Sequence, residues 1–190
     1  MFPVVGRKDD GISEMGQTVY TIGHSTRTVE EFVSLLKENS IELLVDIRTM
    51  PKSRHNPQFA AESLENLLRL YSIKYRHIPS LGGLRRPSKE SINTGWRNDS
   101  FRGFADYMQT KEFDEAINNL IEMSGITHLV IMCAEAVPWR CHRSLVSDAL
   151  TVRGIEVVHI MGSGKNLIHK LTPFAKVEST RVSYPPISLF

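Results

Sequence analysis

The stretch TVYTIGHSTRTVEEFVSLLKENSIELLVDIR, residues 18–48, decides the fold. Its two ends, TVYTIGHS (18–25) and IELLVDIR (41–48), are short apolar runs rich in β-branched residues, so each reads as a buried strand. Between them Val29, Phe32, Val33, Leu35 and Leu36 recur at helical spacing, and Thr28 with Glu31 three residues later makes a capping box. Strand, helix and strand in that order return the chain parallel to its start.

The same alternation continues outward. QFAAESLENLLRLYS (58–72) is an amphipathic helix with Phe59, Leu64, Leu67 and Leu68 inward. IKYRHIPSLGG (73–83) begins as a third strand and ends in a loop, because Pro79 and the glycine pair stop a ladder. Residues 84–100 lack any period and form a long excursion, an expected lid or functional loop. A helical pattern over 101–124 breaks near Thr110. THLVIMC (127–133) is a fourth strand, CHRSLVSDALTVRG (141–154) a helix stopped by Gly154, IEVVHIM (155–161) a fifth strand and NLIHKL a weak final helix. The expectation is an α/β three-layer sandwich with a mainly parallel sheet of about five strands. It forms a single α/β domain over 17–172, with residues 1–16 and 173–190 as N- and C-terminal tails.

A chain of 190 residues with 41% hydrophobic composition can bury one core without covalent staples. No window approaches the roughly 20 apolar residues of a membrane span, and no secretory leader is evident, so a cytoplasmic protein without membrane contact is expected. The two cysteines, Cys133 and Cys141, fit free thiols in a reducing compartment. From Arg48 to Arg102 there are eleven Lys or Arg against four Asp or Glu, with Tyr71, Tyr75, Trp96, Phe101 and Phe104 interleaved. That composition suits phosphate or nucleic-acid contact, and equally a solvated surface of snorkelling side chains.

In an open parallel sheet, ligands bind beyond the carboxyl ends of the strands. Those exits carry Gly23-His24-Ser25, then Asp46 and Arg48, Leu81-Gly82-Gly83, Cys133 and Glu135, and Met161-Gly162. The blocks YTIGHS, VDIRTMPKSR, SLGG and CAEAVPWRCHR, in this order, resemble those of the domain of unknown function 488 family. The resemblance implies an intracellular α/β domain with a shared cleft and no established reaction. Block by block, it implies site residues His24 and Ser25; Asp46, Arg48, Pro51 and Arg54; Gly82 and Gly83; and Cys133, Glu135, Cys141, His142 and Arg143.

The block IMCAEAVPWRCHRS (131–144) concentrates this chemistry. A helix start favours anions and lowers the pKa of a thiol placed there. The order strand, Cys, loop, helix is similar to that of Cys-based phosphatases and sulfurtransferases, whose loop reaches its arginine after five residues. Here six separate Cys133 from Arg140, and Glu135 and Pro138 stand where glycines would, which argues against that phosphate cradle. Zinc could draw on Cys133, Cys141, His142 and His24 or His159, but the cysteine spacing is wrong for a knuckle, so no metal site and no particular cofactor is assigned. GSGKN (162–166) reads as a turn, since a phosphate loop would need Gly at 159 and Ser or Thr at 166.

Three functional classes remain open. The first is a small hydrolase or group transferase binding a phosphorylated compound, a nucleotide or a nucleic-acid end. Arg48, Arg54 and Arg143 would hold the anion, Glu135 or His24 would move a proton, and Cys133 or Cys141 would be a nucleophile. The second is a non-catalytic nucleic-acid or nucleotide binding module using 48–102. The third is a Cys/His metal protein.

Overall fold

A computed structural model describes residues 17–52 and 56–186. Five parallel strands, β1 (Thr18–Gly23), β2 (Leu43–Asp46), β3 (Lys74–His77), β4 (Leu129–Cys133) and β5 (Glu156–Gly162), form the central sheet with a sixth, antiparallel strand, β6 (Lys165–Ile168), on one edge. The strand order is β3-β2-β4-β1-β5-β6. Helices α1 (Val29–Glu38) and α2 (Ala61–Arg69) cover one face through Phe32, Leu35, Leu36, Leu64 and Leu68. On the other face lie α3 (Asp99–Tyr107), α4 (Lys111–Ser124) and α5 (Arg143–Thr151), with Phe104, Phe113, Ile117, Leu145 and Leu150 inward. The three-layer, mainly parallel architecture is therefore as expected, with β6 added.

The caps follow the sequence signals. Thr28 accepts from the Glu31 N–H at 3.1 Å, but the Glu31 carboxylate turns to Arg27 rather than completing the box. Thr110 ends one helical stretch and caps α4, accepting from Phe113 N–H, which explains the break in the period.

Two expectations are corrected. NLIHKL is strand, not helix: the turn at Ser163 and Gly164, whose φ is +62°, folds the chain back so that residues 165–168 pair with β5. An apolar pair beside a tight turn is ambiguous in period, and the open edge of β5 decides it. The segment after Thr172 is no loose tail over its described part. It makes a hairpin, β7 (Lys176–Glu178) and β8 (Arg181–Ser183), and drives Val182 and Tyr184 into the core. The excursion 84–98 is tied down by Asp106, whose carboxylate accepts from Ser88 N–H, Ser91 Oγ and Asn93 Nδ2.

Chain order places the site. From β1 through α1 and α2 the strands advance toward β3 on one face; from β3 through α3, α4 and α5 they return on the other and reach β5. Neighbouring β1 and β4 thus send their onward connections to opposite faces. Their carboxyl ends, Gly23 and Cys133, flank the switch point where such sheets bind ligands.

Candidate functional site

Pairing continues past the switch point: His24 N–H donates to Cys133 O at 3.1 Å and Ser25 N–H to Ala134 O at 2.8 Å. Gly23 must lack a Cβ because one would strike the Glu135 carbonyl. The backbone of Ala134–Ala136 therefore lies directly over β1, and Ser25 turns away with φ +46°.

Side-chain alternation then divides the expected residues between two faces, because neighbours along a strand point to opposite sides. On the α1/α2 face stand His24, Asp46 and Arg48. Asp46, fully buried, accepts from Arg48 Nε at 2.9 Å, Arg48 Nη2 at 2.6 Å and the Tyr75 hydroxyl at 2.8 Å. Arg48 Nη2 also donates to Phe59 O at 2.8 Å, and Nη1 lies 3.4 Å from His24 Nε2. An arginine can only donate, so His24 Nε2 is the unprotonated nitrogen and Nδ1–H donates to Ser25 O at 3.0 Å. Burial, with the Arg48 charge adding, lowers the His24 pKa, and the ring stacks on Phe59 at 4.5 Å. The Arg48 guanidinium is thus an internal strut, not a free anion clamp. Pro51 accepts from Ala61 N–H through its carbonyl; Arg54 lies outside the described residues.

On the α5 face stand Cys133, Cys141, His142 and Arg143. Cys141 precedes α5 rather than opening it, following a short 3-10 turn over Pro138–Arg140. The neighbouring Cys141 thiol, then the Arg143 charge, draw the Cys133 pKa down against its burial, while the Cys133 sulfur and burial push Cys141 up. Arg143 is 1% exposed. Its Nη2 donates to Glu135 O at 3.2 Å and Ala136 O at 3.3 Å, while Nε and Nη1 are buried without a hydrogen-bond partner. His142 Nε2–H donates to Ile47 O at 3.1 Å, leaving the Nδ1 lone pair 3.5 Å from Cys141 Sγ; burial holds this ring neutral, with a pKa of about 4. Gly83 has to be glycine because a Cβ would meet the His142 ring, and a Cβ on Gly82 would press on Thr49 and Pro79, so the glycine pair serves packing. The Glu135 side chain is exposed.

A buried polar chain on the α5 face escaped the strand-end rule. Thr21 Oγ1 lies 2.7 Å from His159 Nδ1, His159 Nε2 lies 3.0 Å from His169 Nδ1, and His169 Nε2 lies 2.8 Å from Asp148 Oδ1. Asp148 also accepts from Thr172 N–H, Thr172 Oγ1 and Tyr184 OH, so four donors satisfy it. Burial, then His169 and Arg143, lower the His159 pKa to about 3. A cleft of about 460 Å³ opens beside this chain, lined by Trp96, Trp139, Ser144, Leu167, Lys170 and Phe174 among others. Only His159, inside an apolar run, hinted at the network.

The chain belongs to the Domain of unknown function DUF488 family. That family's model matches residues 28–150, more than half of the chain, including the β4 side of the switch point but not β1. No curated protein and no solved structure matches the chain. The DUF488 region carries Asp46, Arg48, Cys133, Cys141 and Arg143, while His24, His159 and His169 fall outside the matched span. In the basic segment Trp96 packs on Phe101, Phe174 and Tyr184 and Phe104 is fully buried, while Tyr71 is exposed with Lys37 over its ring. Among the described residues no cluster of three or more His, Cys, Asp or Glu is placed to hold a metal ion, and no helix is long and apolar enough to cross a membrane.

Proposed function

We propose that this DUF488 protein is a thiol-dependent hydrolase or group transferase acting on a small substrate that carries a phosphate or similar anion. Cys133 is the attacking sulfur, and Arg143 with the start of α5 receives the anion. The observation that carries the reading is the Arg143 guanidinium, buried with Nε and Nη1 unpartnered beside a thiol whose pKa is drawn down. Buried donors without partners are rare, and a buried cation without a counter-charge is costly, so such a pair is kept where chemistry uses it.

The loop 134–140 is the gate in this reading. Its Glu135 and Ala136 carbonyls hold Arg143 Nη2, and an incoming anion replaces them while Nε and Nη1 gain their first acceptors. A thiolate in this field is the nucleophile of a covalent mechanism, and a water or a second acceptor then takes the transferred group. In this reading Glu135, exposed on that loop, activates the water rather than the buried His24, whose pKa is lowered by burial.

The test is alkylation. Iodoacetamide modifies Cys133 at neutral pH faster than an ordinary thiol, and inorganic phosphate or a nucleoside monophosphate slows the reaction. Arg143→Lys keeps the charge but not the fork and weakens that protection. The reading is abandoned if Cys133 reacts only above the usual thiol range, or if no phosphate-bearing ligand alters the rate.

A further inference from the structure

The cleft beside the histidine network is not used by the thiol chemistry. About 460 Å³ in volume, it lies where three separate segments meet. The excursion 84–98 brings Trp96, the 3-10 turn of the 134–140 loop brings Trp139, and the chain from β6 onward brings Leu167, Ile168, Lys170 and Phe174. That volume falls within the roughly 300–1,000 Å³ of small-molecule sites.

Its walls are of two kinds. Trp96 is held in place, its ring centroid 4.7 Å from Phe101, 4.9 Å from Phe174 and 5.5 Å from Tyr184. Trp139 is 58% exposed and has no ring partner among the described residues, and Leu167 and Ile168 of the same cleft are exposed as well. Three large apolar side chains left open to water around one concavity form a surface suited to a flat apolar ring.

Hydrogen bonding narrows the ligand further. Asp148 Oδ1 can only accept, so His169 Nε2 carries a proton, His169 Nδ1 accepts from His159 Nε2–H, and His159 Nδ1 accepts from the Thr21 hydroxyl. Every ring nitrogen of the two histidines lining the cleft is therefore engaged, and they offer a ligand neither charge nor a free donor. Ser144 and Thr172 have given their hydroxyl protons to Cys141 O and Asp148. Two donors remain. The Trp96 Nε1–H is buried without an acceptor, and Lys170 is exposed and forms no ion pair among the described residues. Buried donors without partners are rare, so the indole marks a place where an acceptor comes from outside. Among the described residues no Asp or Glu lines the cleft to oppose a negative charge.

We propose that this cleft binds a flat heteroaromatic carboxylate. The ring stacks on Trp139 and covers Leu167, its heteroatom accepts from Trp96 Nε1–H, and its carboxylate pairs with Lys170. The site uses neither thiol, so it stands or falls separately from the proposed enzyme.

The experiment uses the two tryptophans themselves. Both line the cleft and the chain has no others, so their indole N–H signals in a correlation spectrum of the isotope-labelled full-length protein report on it directly. Quinaldate, a bicyclic carboxylate with a ring nitrogen, shifts both signals saturably. Its carboxamide, without the charge, and the naphthalene carboxylate of the same shape, without the ring acceptor, each bind about tenfold more weakly, as does Lys170→Met with quinaldate. Trp139→Ala weakens binding several-fold. Both replaced side chains are exposed, so the core is untouched, and the titration of the unaltered chain decides the matter by itself. Absence of a saturable shift at millimolar quinaldate overturns the proposal, as does equal affinity for the carboxylate and its carboxamide. Shifts that follow protein concentration instead of quinaldate mean that a second copy of the chain fills the cleft, and overturn it too.

Discussion

Two buried arginines, one on each face of the same sheet, are treated in opposite ways. Arg48 places Nε and Nη2 on Asp46, a second Nη2 bond on Phe59 O and Nη1 toward His24, and its partner Asp46 gains Tyr75 as well. Arg143 has two backbone carbonyls for Nη2 and nothing for Nε or Nη1. A buried ion pair with all its hydrogen bonds made is a strut; one left open beside a polarised thiol is available for chemistry. The difference could not have been assigned from charge, since both arginines lie beyond the carboxyl end of a strand, Arg48 two residues after β2 and Arg143 at the start of α5.

The comparison breaks most severely at the strut. Asp46→Ala leaves Arg48 buried without its carboxylate and should cost about 3–5 kcal/mol, seen as an earlier urea midpoint. Pairing it with Arg48→Met should recover a large part of that loss, and failure to recover would mean that Arg48 holds the loop by its other bonds.

Acid should act next. His142 and His159 are held neutral, with folded pKa values of about 4 and about 3, below the ordinary 6.5. Between those values and 6.5 the unfolded chain binds protons that the folded one does not, so stability is complete above pH 6.5 and falls as pH drops. The slope is roughly 1.4 kcal/mol per pH unit for each histidine. Melting temperatures from pH 7 to 5 measure it, and His142→Gln should flatten the curve; an unchanged slope would place the acid sensitivity elsewhere.

On the open face, Arg143→Met should lower stability less than Asp46→Ala, because fewer bonds are lost, yet slow Cys133 alkylation at pH 7, because without the Arg143 charge less of the thiol is ionised. A large stability loss with unchanged thiol reactivity would turn Arg143 into a second strut. The smallest effect belongs to Tyr75→Phe, which removes one hydrogen bond to Asp46 and should cost about 1 kcal/mol without touching the thiols.

Strand and helix alternation was legible because period reports burial directly: Phe32, Val33, Leu35 and Leu36 are the buried residues of α1, and Leu129–Cys133 is a fully buried strand. The edge strand β6 was not, because Leu167 and Ile168 are exposed and their pairing depends on β5 rather than on their own pattern. The rim residues were legible as a set through the strand-end rule. Their division by face was not, since a loop residue's side is set by the register in which β1, β2 and β4 pair.

The amino-acid order alone determined the layered α/β architecture and the strand ends at which reactive side chains collect, because local period and chain direction are properties of contiguous residues. Only tertiary structure decided that Asp46 quenches Arg48, that Arg143 is left with open donors beside two thiols, and that His159, His169, Asp148 and Tyr184 form one network. Those outcomes depend on distances between residues far apart in the chain, and the balance of desolvation against partner bonds is settled only where they meet.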